Sequence, residues 1–267
     1  MSFKDLQLID PLLTAIEEQG YKTPTIVQKK TIPFVLAKKD VITSAQTGTG
    51  KTAAFALPIL QMLFNNQDPL KRGRSIKALI VSPTRELALQ IGNNFKAYGR
   101  HTKLLTTVIF GGTPLEPQID VLTKGVDVLV ATPGRLIDLE KQGVINLDQV
   151  EILVLDEADL MLDMGFIDDV KHIESLCPKQ KQILLFSATM PFKVEQLAKT
   201  ILNNPERIEI SPDLFAANTI GQVLYYVPKR NKIELCLHLL RNEIKGSILI
   251  FRRTKFGVDK LEQTLIK

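Results

Sequence analysis

Cysteine is scarce in this sequence: Cys177 and Cys236 are the only two among 267 residues. They form no Cys-x-x-Cys pair, which excludes a disulfide-framed secreted domain and a zinc ribbon. Both read as free thiols in the core or at the surface. Histidine is equally sparse. His101, His172 and His238 show no metal-ligand spacing, so a structural or solvated role is expected for each. No apolar run is long enough to span a bilayer. The first residues, Met1 to Leu6, lack the basic-then-apolar order of a signal peptide. These absences predict a cytoplasmic chain with no membrane partner. Internal repeats and low-complexity blocks are missing too.

What is present suits a folded protein. Apolar residues make up 45% and charged residues 24%, the balance of a chain with a real core. The length accommodates one large domain or two smaller ones. A net charge of +5 and a pI of about 9.1 mildly favour an anionic partner such as nucleic acid. The basic run Lys71-Arg72-Gly73-Arg74 adds little, since a solvated loop explains it as well.

The most telling segment is Ala45-Gln46-Thr47-Gly48-Thr49-Gly50-Lys51-Thr52. It follows the apolar pair Val41-Ile42, which reads as a buried strand, and precedes Ala53 to Leu57, which reads as the start of a helix. Strand, glycine loop, Gly-Lys-Thr and helix form the context of a phosphate-binding loop. Little side-chain bulk lets backbone N–H groups face phosphate oxygens, and the helix N-terminus adds unpaired donors and a favourable dipole. In such a loop Lys51 reaches the β- and γ-phosphates and the Thr52 hydroxyl holds Mg²⁺. The strict pattern opens on glycine, and this chain has Ala45 there.

Apolar runs recur after the loop, at Ala78–Val81, Thr107–Phe110, Val126–Val130, Ile152–Leu155 and Ile183–Phe186. Most are continuous in Val, Ile and Leu, as in strands buried on both faces. Helical stretches alternate with them, which predicts an α/β fold with a mostly parallel sheet flanked by helices. Ligands in such sheets sit at the carboxyl ends of the strands. The unusual residues fall there: Thr47–Thr52, Pro83-Thr84-Arg85-Glu86, Gly111-Gly112, Thr132-Pro133-Gly134-Arg135, Asp156-Glu157 and Ser187-Ala188-Thr189. Near the start, Asp10 reads as an N-cap, Pro11 as a first-turn proline and Gly20 as a helix stop. Residues 1–210 are expected to form one domain and the turn-rich stretch 211–221 a linker. Residues 222–267 then begin a second domain, with strands at Val223–Val227 and Ser247–Phe251 and helices at Lys232–Leu240 and Val258–Ile266. So short a stretch buries a parallel sheet poorly, which predicts a domain cut short.

The strand Ile152–Leu155 ends in Asp156-Glu157-Ala158-Asp159. A carboxylate at this place completes a Mg²⁺ shell, and a second beside it can orient and deprotonate an attacking water. Acid at a helix N-terminus also has a dipole explanation, but that does not account for its position opposite a Gly-Lys-Thr loop. With this tetrapeptide the chain resembles the DEAD-box RNA helicases, most closely their bacterial RhlE-like branch. Gly20-Tyr21, Pro24-Thr25 and Gln28 match the adenine-reading Q motif, with Phe3 as its upstream aromatic. Ala45 to Thr52 matches the helicase form of the phosphate loop, which commonly opens on alanine. Pro83-Thr84-Arg85-Glu86-Leu87-Ala88, Gly111-Gly112 and Thr132-Pro133-Gly134-Arg135 match the RNA-contacting motifs. Ser187-Ala188-Thr189 matches the motif that couples ATP turnover to strand separation. Ile250-Phe251-Arg252-Arg253-Thr254-Lys255 looks like the first motif of the second domain.

The resemblance implies two RecA-like domains, ATP with Mg²⁺, and RNA bound through its backbone with little sequence preference. It implies that Gln28 pairs with the N6/N7 edge of adenine, that Tyr21 stacks on the base, and that Ala45, Gln46, Thr47, Gly48, Thr49, Gly50, Lys51 and Thr52 hold the phosphates. Asp156 holds Mg²⁺ through water, together with Thr52, and Glu157 activates the hydrolytic water. Asp159 bonds to Ser187 or Thr189 and so links two motifs. Pro83, Thr84, Arg85, Gly111, Gly112, Thr132, Pro133, Gly134, Arg135 and Thr254 face RNA. Two departures stand out. Ile26 replaces a usual proline in the Q motif, which is expected to loosen that loop. The later arginine-rich motifs of the second domain do not occur here, and arginine fingers of that kind contribute roughly 10³ to 10⁵ in rate. The resemblance therefore implies an ATP-dependent RNA helicase, or, for these residues alone, an ATP- and RNA-binding module with little turnover. A DNA-directed helicase or another phosphate-loop NTPase fits the Q-motif residues and the tetrapeptide less well.

Overall fold

The computed structural model describes residues 2–66, 74–210, 221 and 223–266. The chain divides into two compact units, Met1–Ala216 and Ala217–Lys267. In the first unit, a 3₁₀ turn at Lys4–Leu6 leads into α1 (Asp10–Glu18) and α2 (Ile26–Leu36). Then β1 (Val41–Ser44), α3 (Lys51–Asn65), β2 (Ala78–Val81), α4 (Arg85–Tyr98), β3 (Thr106–Ile109) and α5 (Glu116–Thr123) alternate. They are followed by β4 (Val128–Ala131), α6 (Pro133–Lys141), β5 (Ile152–Leu155), α7 (Ala158–Asp163) and α8 (Ile167–Leu176). The unit closes with β6 (Gln182–Ser187), α9 (Phe192–Ile201) and β7 (Glu206–Glu209).

The seven strands form one sheet in the order β3-β4-β2-β5-β6-β1-β7, and every pairing is parallel. Alternation along each strand sends side chains to opposite faces. Ala78 and Ile80 of β2 join a core with residues of α1 to α4. Leu79 and Val81 join a second core with residues of α6 to α9. The interior strands β2, β4, β5 and β6 are buried throughout, whereas the edge strand β7 alternates with exposed Arg207 and Glu209. That division explains the continuous apolar runs and the charged edge. Gly92 of α4 lets the helix lie close on β3, because a Cβ there would sit 2.1 Å from Val108 Cγ2.

Several local readings are corrected. Asp10 is the first helical residue and Ile9 the cap, with no side-chain capping bond. Proline at position 11 supplies no N–H to satisfy there. The helix start without the Q-motif proline is fixed by another device. Thr25 and Gln28 form a reciprocal capping box at the head of α2. The strand expected from Thr107 begins at Thr106, and the one expected from Val126 begins at Val128.

The second unit holds a 3₁₀ turn at Lys229–Asn231, α10 (Lys232–Asn242) and α11 (Lys255–Ile266). The strands expected at 223–227 and 247–251 are not formed. Val223, Leu224, Tyr226, Leu249 and Phe251 are exposed instead. Strand propensity describes fit to a ladder, and without a hydrogen-bonded neighbour it produces none. The expected linker lies outside the described residues apart from Gly221, as do Lys71, Arg72 and Gly73 of the basic run. Arg74, the last of that run, is not a solvated charge: it pairs with Asp127 and donates to the Lys103 carbonyl at 3.2 Å.

Candidate functional site

Because all seven strands run parallel, the loops after them lie along one edge of the sheet. The sheet order then separates these loops into two halves. The loops after β1, β6 and β5 adjoin: they are the glycine loop, Ser187–Thr189 and Asp156-Glu157. The loops after β2, β4 and β3 adjoin on the other side: Pro83–Glu86, Thr132–Arg135 and Gly111-Gly112.

A cavity of about 530 Å³ opens beside the glycine loop. Its phosphate-loop end is lined by Thr47, Gly48, Gly50, Lys51, Thr52, Asp156 and Glu157. Ala45 is buried and donates its N–H to the Ser187 carbonyl at 3.0 Å. It does not adopt positive φ, so alanine fits where other loops of this kind carry glycine. Gly48 and Gly50 do adopt positive φ, at 84° and 91°. A Cβ on Gly50 would also meet Gln28 Nε2 at 2.5 Å, so glycine is required there. Thr49 braces the loop by donating to the Gln46 carbonyl at 2.7 Å.

Lys51 is the first residue of α3 and only 6% exposed. Its ammonium donates to the Ala45 carbonyl at 3.0 Å and pairs with Glu157 Oε1 at 3.0 Å. Glu157 sits in the left-handed region at φ 54° and caps α7. A glutamate there is strained, and strain of this kind is stored at functional positions. Next to it, Asp156 is buried and its Oδ1 has no hydrogen-bond partner. Burial raises its pKa to about 7, with the Glu157 charge adding to the rise and Lys51 opposing it. A buried carboxylate oxygen with no partner fits a cation or its hydration shell.

Asp159 joins this loop to the one after β6. Its Oδ2 accepts from Thr189 N at 2.8 Å and from Thr189 Oγ1 at 2.7 Å, and its own N–H donates to Ser187 Oγ at 3.1 Å. Burial works against its charge. The bonds from Thr189 and Ser187 outweigh it and hold the carboxyl below the usual range.

The other end of the cavity is lined by Phe3, Gly20, Tyr21 and Gln28, and by one face of α4. Gln28 Oε1 accepts from Thr25 N at 2.9 Å, and its Nε2 donates to the Gly50 carbonyl at 3.2 Å. These partners fix the orientation of the amide. An amide has two donor hydrogens and two acceptor lone pairs, so one donor and one acceptor stay free. Adenine offers the complementary pair at N6 and N7. Phe3 is buried, whereas Tyr21 is 42% exposed.

The other half of the edge is more open. Thr84 caps α4 by accepting from Leu87 N at 3.3 Å, and Arg85 is exposed beside Glu86. Thr132 and Pro133 begin α6, while Gly111, Gly112 and Gly134 are exposed. Arg135 donates to the Thr113 carbonyl at 3.1 Å, and its Nη1 is buried without a partner. Thr254 belongs to the second unit, where its hydroxyl accepts from Gly257 N at 3.1 Å at the head of α11.

Sequence reasoning missed several residues here. Gln118 of α5 organises the Gly111-Gly112 loop. Its Oε1 accepts from Phe110 N, and its Nε2 donates to Thr113 Oγ1 and the Pro114 carbonyl, each at 3.0–3.1 Å. Gln90, Ile91, Asn94 and Tyr98 of α4 line the cavity, beside Leu87 of the Pro83–Ala88 motif. The helical spacing of the first four reads as an ordinary amphipathic face, so no local signal marks them. Both thiols are free, and burial pushes Cys177 up to about 11. Among the described residues no group of three or more His, Cys, Asp or Glu is placed to hold a metal ion. Among those residues no helix is long and apolar enough to cross a membrane.

The parallel sheet and the glycine loop define a RecA-like phosphate-loop domain. Residues 25–197 match the DEAD/DEAH box helicase family, and the chain belongs to that family. It is 43% identical over 264 residues to the DEAD-box ATP-dependent RNA helicase RhpA of Helicobacter pylori, covering 99% of this chain and 52% of that protein. Identity to the ATP-dependent rRNA helicase rrp3 of Schizosaccharomyces pombe is 44%, covering 97% and 55% respectively. A DEAD box protein from the hyperthermophile Methanococcus jannaschii superposes with a TM-score of 0.74 at 38% identity, covering 100% of this chain and 70% of that one. The chain spans about half the length of the curated relatives it matches.

Proposed function

We propose that this chain is the ATP-binding part of an ATP-dependent RNA helicase, and that residues 1–210 form its first RecA-like domain. Residues 211–221 act as a linker and 222–267 begin the second domain. The observation that carries the reading is the division of one sheet edge. The buried, ion-paired phosphate-loop half adjoins an open half built of glycines, helix N-termini and arginines. ATP occupies the cavity and RNA lies along the open half.

Lys51 pairs with Glu157 and donates to the Ala45 carbonyl. A γ-phosphate competes for the same ammonium. Once Lys51 turns to phosphate, Glu157 loses its counter-ion contact and can accept a proton from the attacking water. Thr52 and the unpartnered Asp156 Oδ1 fit magnesium, which supplies charge neutralisation on the β- and γ-phosphates when bound. Gln28 reads adenine with its free donor and acceptor, and Tyr21 stacks on the ring. Asp159 ties the acidic loop to Ser187 and Thr189, so a shift at the γ-phosphate reaches the loop after β6. Thr84, Arg85, Gly112, Thr132 and Arg135 contact RNA phosphate and sugar, which makes binding largely sequence-independent. The protein acts in the cytoplasm.

The test is ATP hydrolysis with and without single-stranded RNA, with Lys51→Ala as the blank. RNA-stimulated turnover that Glu157→Gln removes supports the helicase reading. If Glu157→Gln left turnover unchanged, the general-base role would be wrong. Nucleotide and RNA binding without turnover favours the second reading, a binding module that hydrolyses ATP only with the rest of a longer protein.

A further inference from the structure

The aromatic end of the cavity is held by residues outside the motifs. Tyr21 lies on the short strap that follows α1, and its side chain is exposed. Its hydroxyl lies 3.2 Å from the hydroxyl of Tyr98, the last residue of α4. The two rings are 6.1 Å apart and tilted by 57°. Tyr98 is 2% exposed and also lines the cavity. Burial and the Tyr21 hydroxyl both push its phenol pKa up, so it stays neutral and available as a hydrogen-bond partner. A second mooring lies close by in the chain. Glu18, at the end of α1, forms an ion pair with Arg100 at 3.0 Å and contacts His101 Nε2 at 3.1 Å, both just past the end of α4.

We propose that Tyr98 is a positioning residue for the adenine end of the nucleotide cavity, acting through its hydroxyl on the ring of Tyr21. The inference rests on the reading above that adenine stacks on Tyr21. An exposed tyrosine on a strap samples several rotamers, and each must be given up when a base stacks on it. A fixed hydroxyl partner removes that cost before the ligand arrives, which is preorganisation. Tyr98 suits the task because its own ring is buried in the core shared by α1 to α4. The partner bond is neutral, so it orients the ring without adding charge to a base-binding surface.

The experiment compares Mg–ADP with Mg–pyrophosphate binding to the wild-type chain, Tyr98→Phe, Tyr21→Phe and the double variant, by calorimetry. Tyr98→Phe keeps the buried ring and removes one oxygen. It should weaken ADP by about 3- to 10-fold, the range of a single hydrogen bond, and leave pyrophosphate unchanged. The double variant should lose no more than either single one, because both remove the same bond. Equal loss of ADP and pyrophosphate would mean general damage to the cavity, and additive losses would mean independent roles; either overturns the proposal, as does wild-type ADP affinity in Tyr98→Phe. If Lys51→Ala and Gln28→Ala also leave ADP binding intact, the nucleotide reading itself fails. Loss in those two variants with none in Tyr98→Phe refutes the positioning role alone.

Discussion

The two halves of the sheet's carboxyl edge are built on opposite terms. In the phosphate-loop half the polar groups are mostly engaged with one another: buried Lys51 with Glu157, buried Gln28 with Thr25 and Gly50, and half-buried Asp159 with the exposed Thr189. In the other half Arg85, Gly111, Gly112 and Gly134 are exposed. The difference follows from the ligands proposed for each. A nucleotide is small and must be gripped by few groups, so each group is preorganised and costly to lose. An RNA backbone is long, and many weak contacts share the work. Mutations in the first half should therefore act singly and strongly, and those in the second weakly and in sum.

The largest effect is expected for Lys51→Ala. Charge-assisted bonds to phosphate are among the strong ones, and nucleotide affinity should fall by about 100-fold or more. Calorimetric titration with Mg–ADP checks this. A loss below about 10-fold would place the phosphates elsewhere.

Gln28→Ala comes next. Bidentate recognition of a base contributes roughly 1–3 kcal/mol of discrimination, so ATP should bind about 10- to 100-fold more weakly while GTP barely changes. The same side chain closes the capping box on α2, so the fold should also lose about 1 kcal/mol. Affinities for both nucleotides, together with a denaturant melt, separate the two roles.

How much of this was legible in the sequence depends on where the determinant lies. The glycine loop, the acidic strand end and the Ser187–Thr189 loop are short segments recognisable from local residue types, and they follow β1, β5 and β6 at the carboxyl edge of the sheet, where the sequence puts them. The parallel sheet was legible because continuous apolar runs leave strands no exposed face. The Tyr21–Tyr98 contact was not, because it joins residues 77 positions apart and Tyr98 continues an ordinary helical stripe. Gln118 escaped for a related reason: its bonds satisfy backbone groups of a loop that has no spacing rule. The strands expected at 223–227 and 247–251 failed because apolar, β-branched composition cannot report whether a ladder partner exists.

Asp156 sharpens the comparison through pH, with an effect of a few kcal/mol. Its folded-state pKa is raised to about 7, against an ordinary value of about 3.9 in an unfolded chain. Between these two values the folded protein keeps a proton that the unfolded chain has released. The ligand-free fold thus loses stability as pH rises from about 4 to about 7, and the loss levels off above that. Asp156→Asn removes the titration. The variant should be the more stable protein at about pH 8 without ligand, and the gap should close below about pH 4. Denaturation at a series of pH values measures the difference between the two proteins. A gap that does not change with pH would mean that Asp156 is not the desolvated carboxyl described here.

The open half should yield the smallest single effects. Arg85 is exposed and its partner Glu86 is more so, so removing its guanidinium disturbs no buried network. Arg85→Ala should weaken single-stranded RNA by about 3- to 10-fold and reduce the slope of log affinity against log salt by about one contact's share. The nucleotide affinity measured without RNA should not move. Combining Arg85→Ala with Arg135→Ala should multiply the losses, since the two arginines extend from different loops and share no partner. Arg135 should cost somewhat more, because its removal also releases the Thr113 carbonyl that it holds. If either single change abolished RNA binding, this half would be a preorganised pocket like its neighbour, and the contrast between the two would fail.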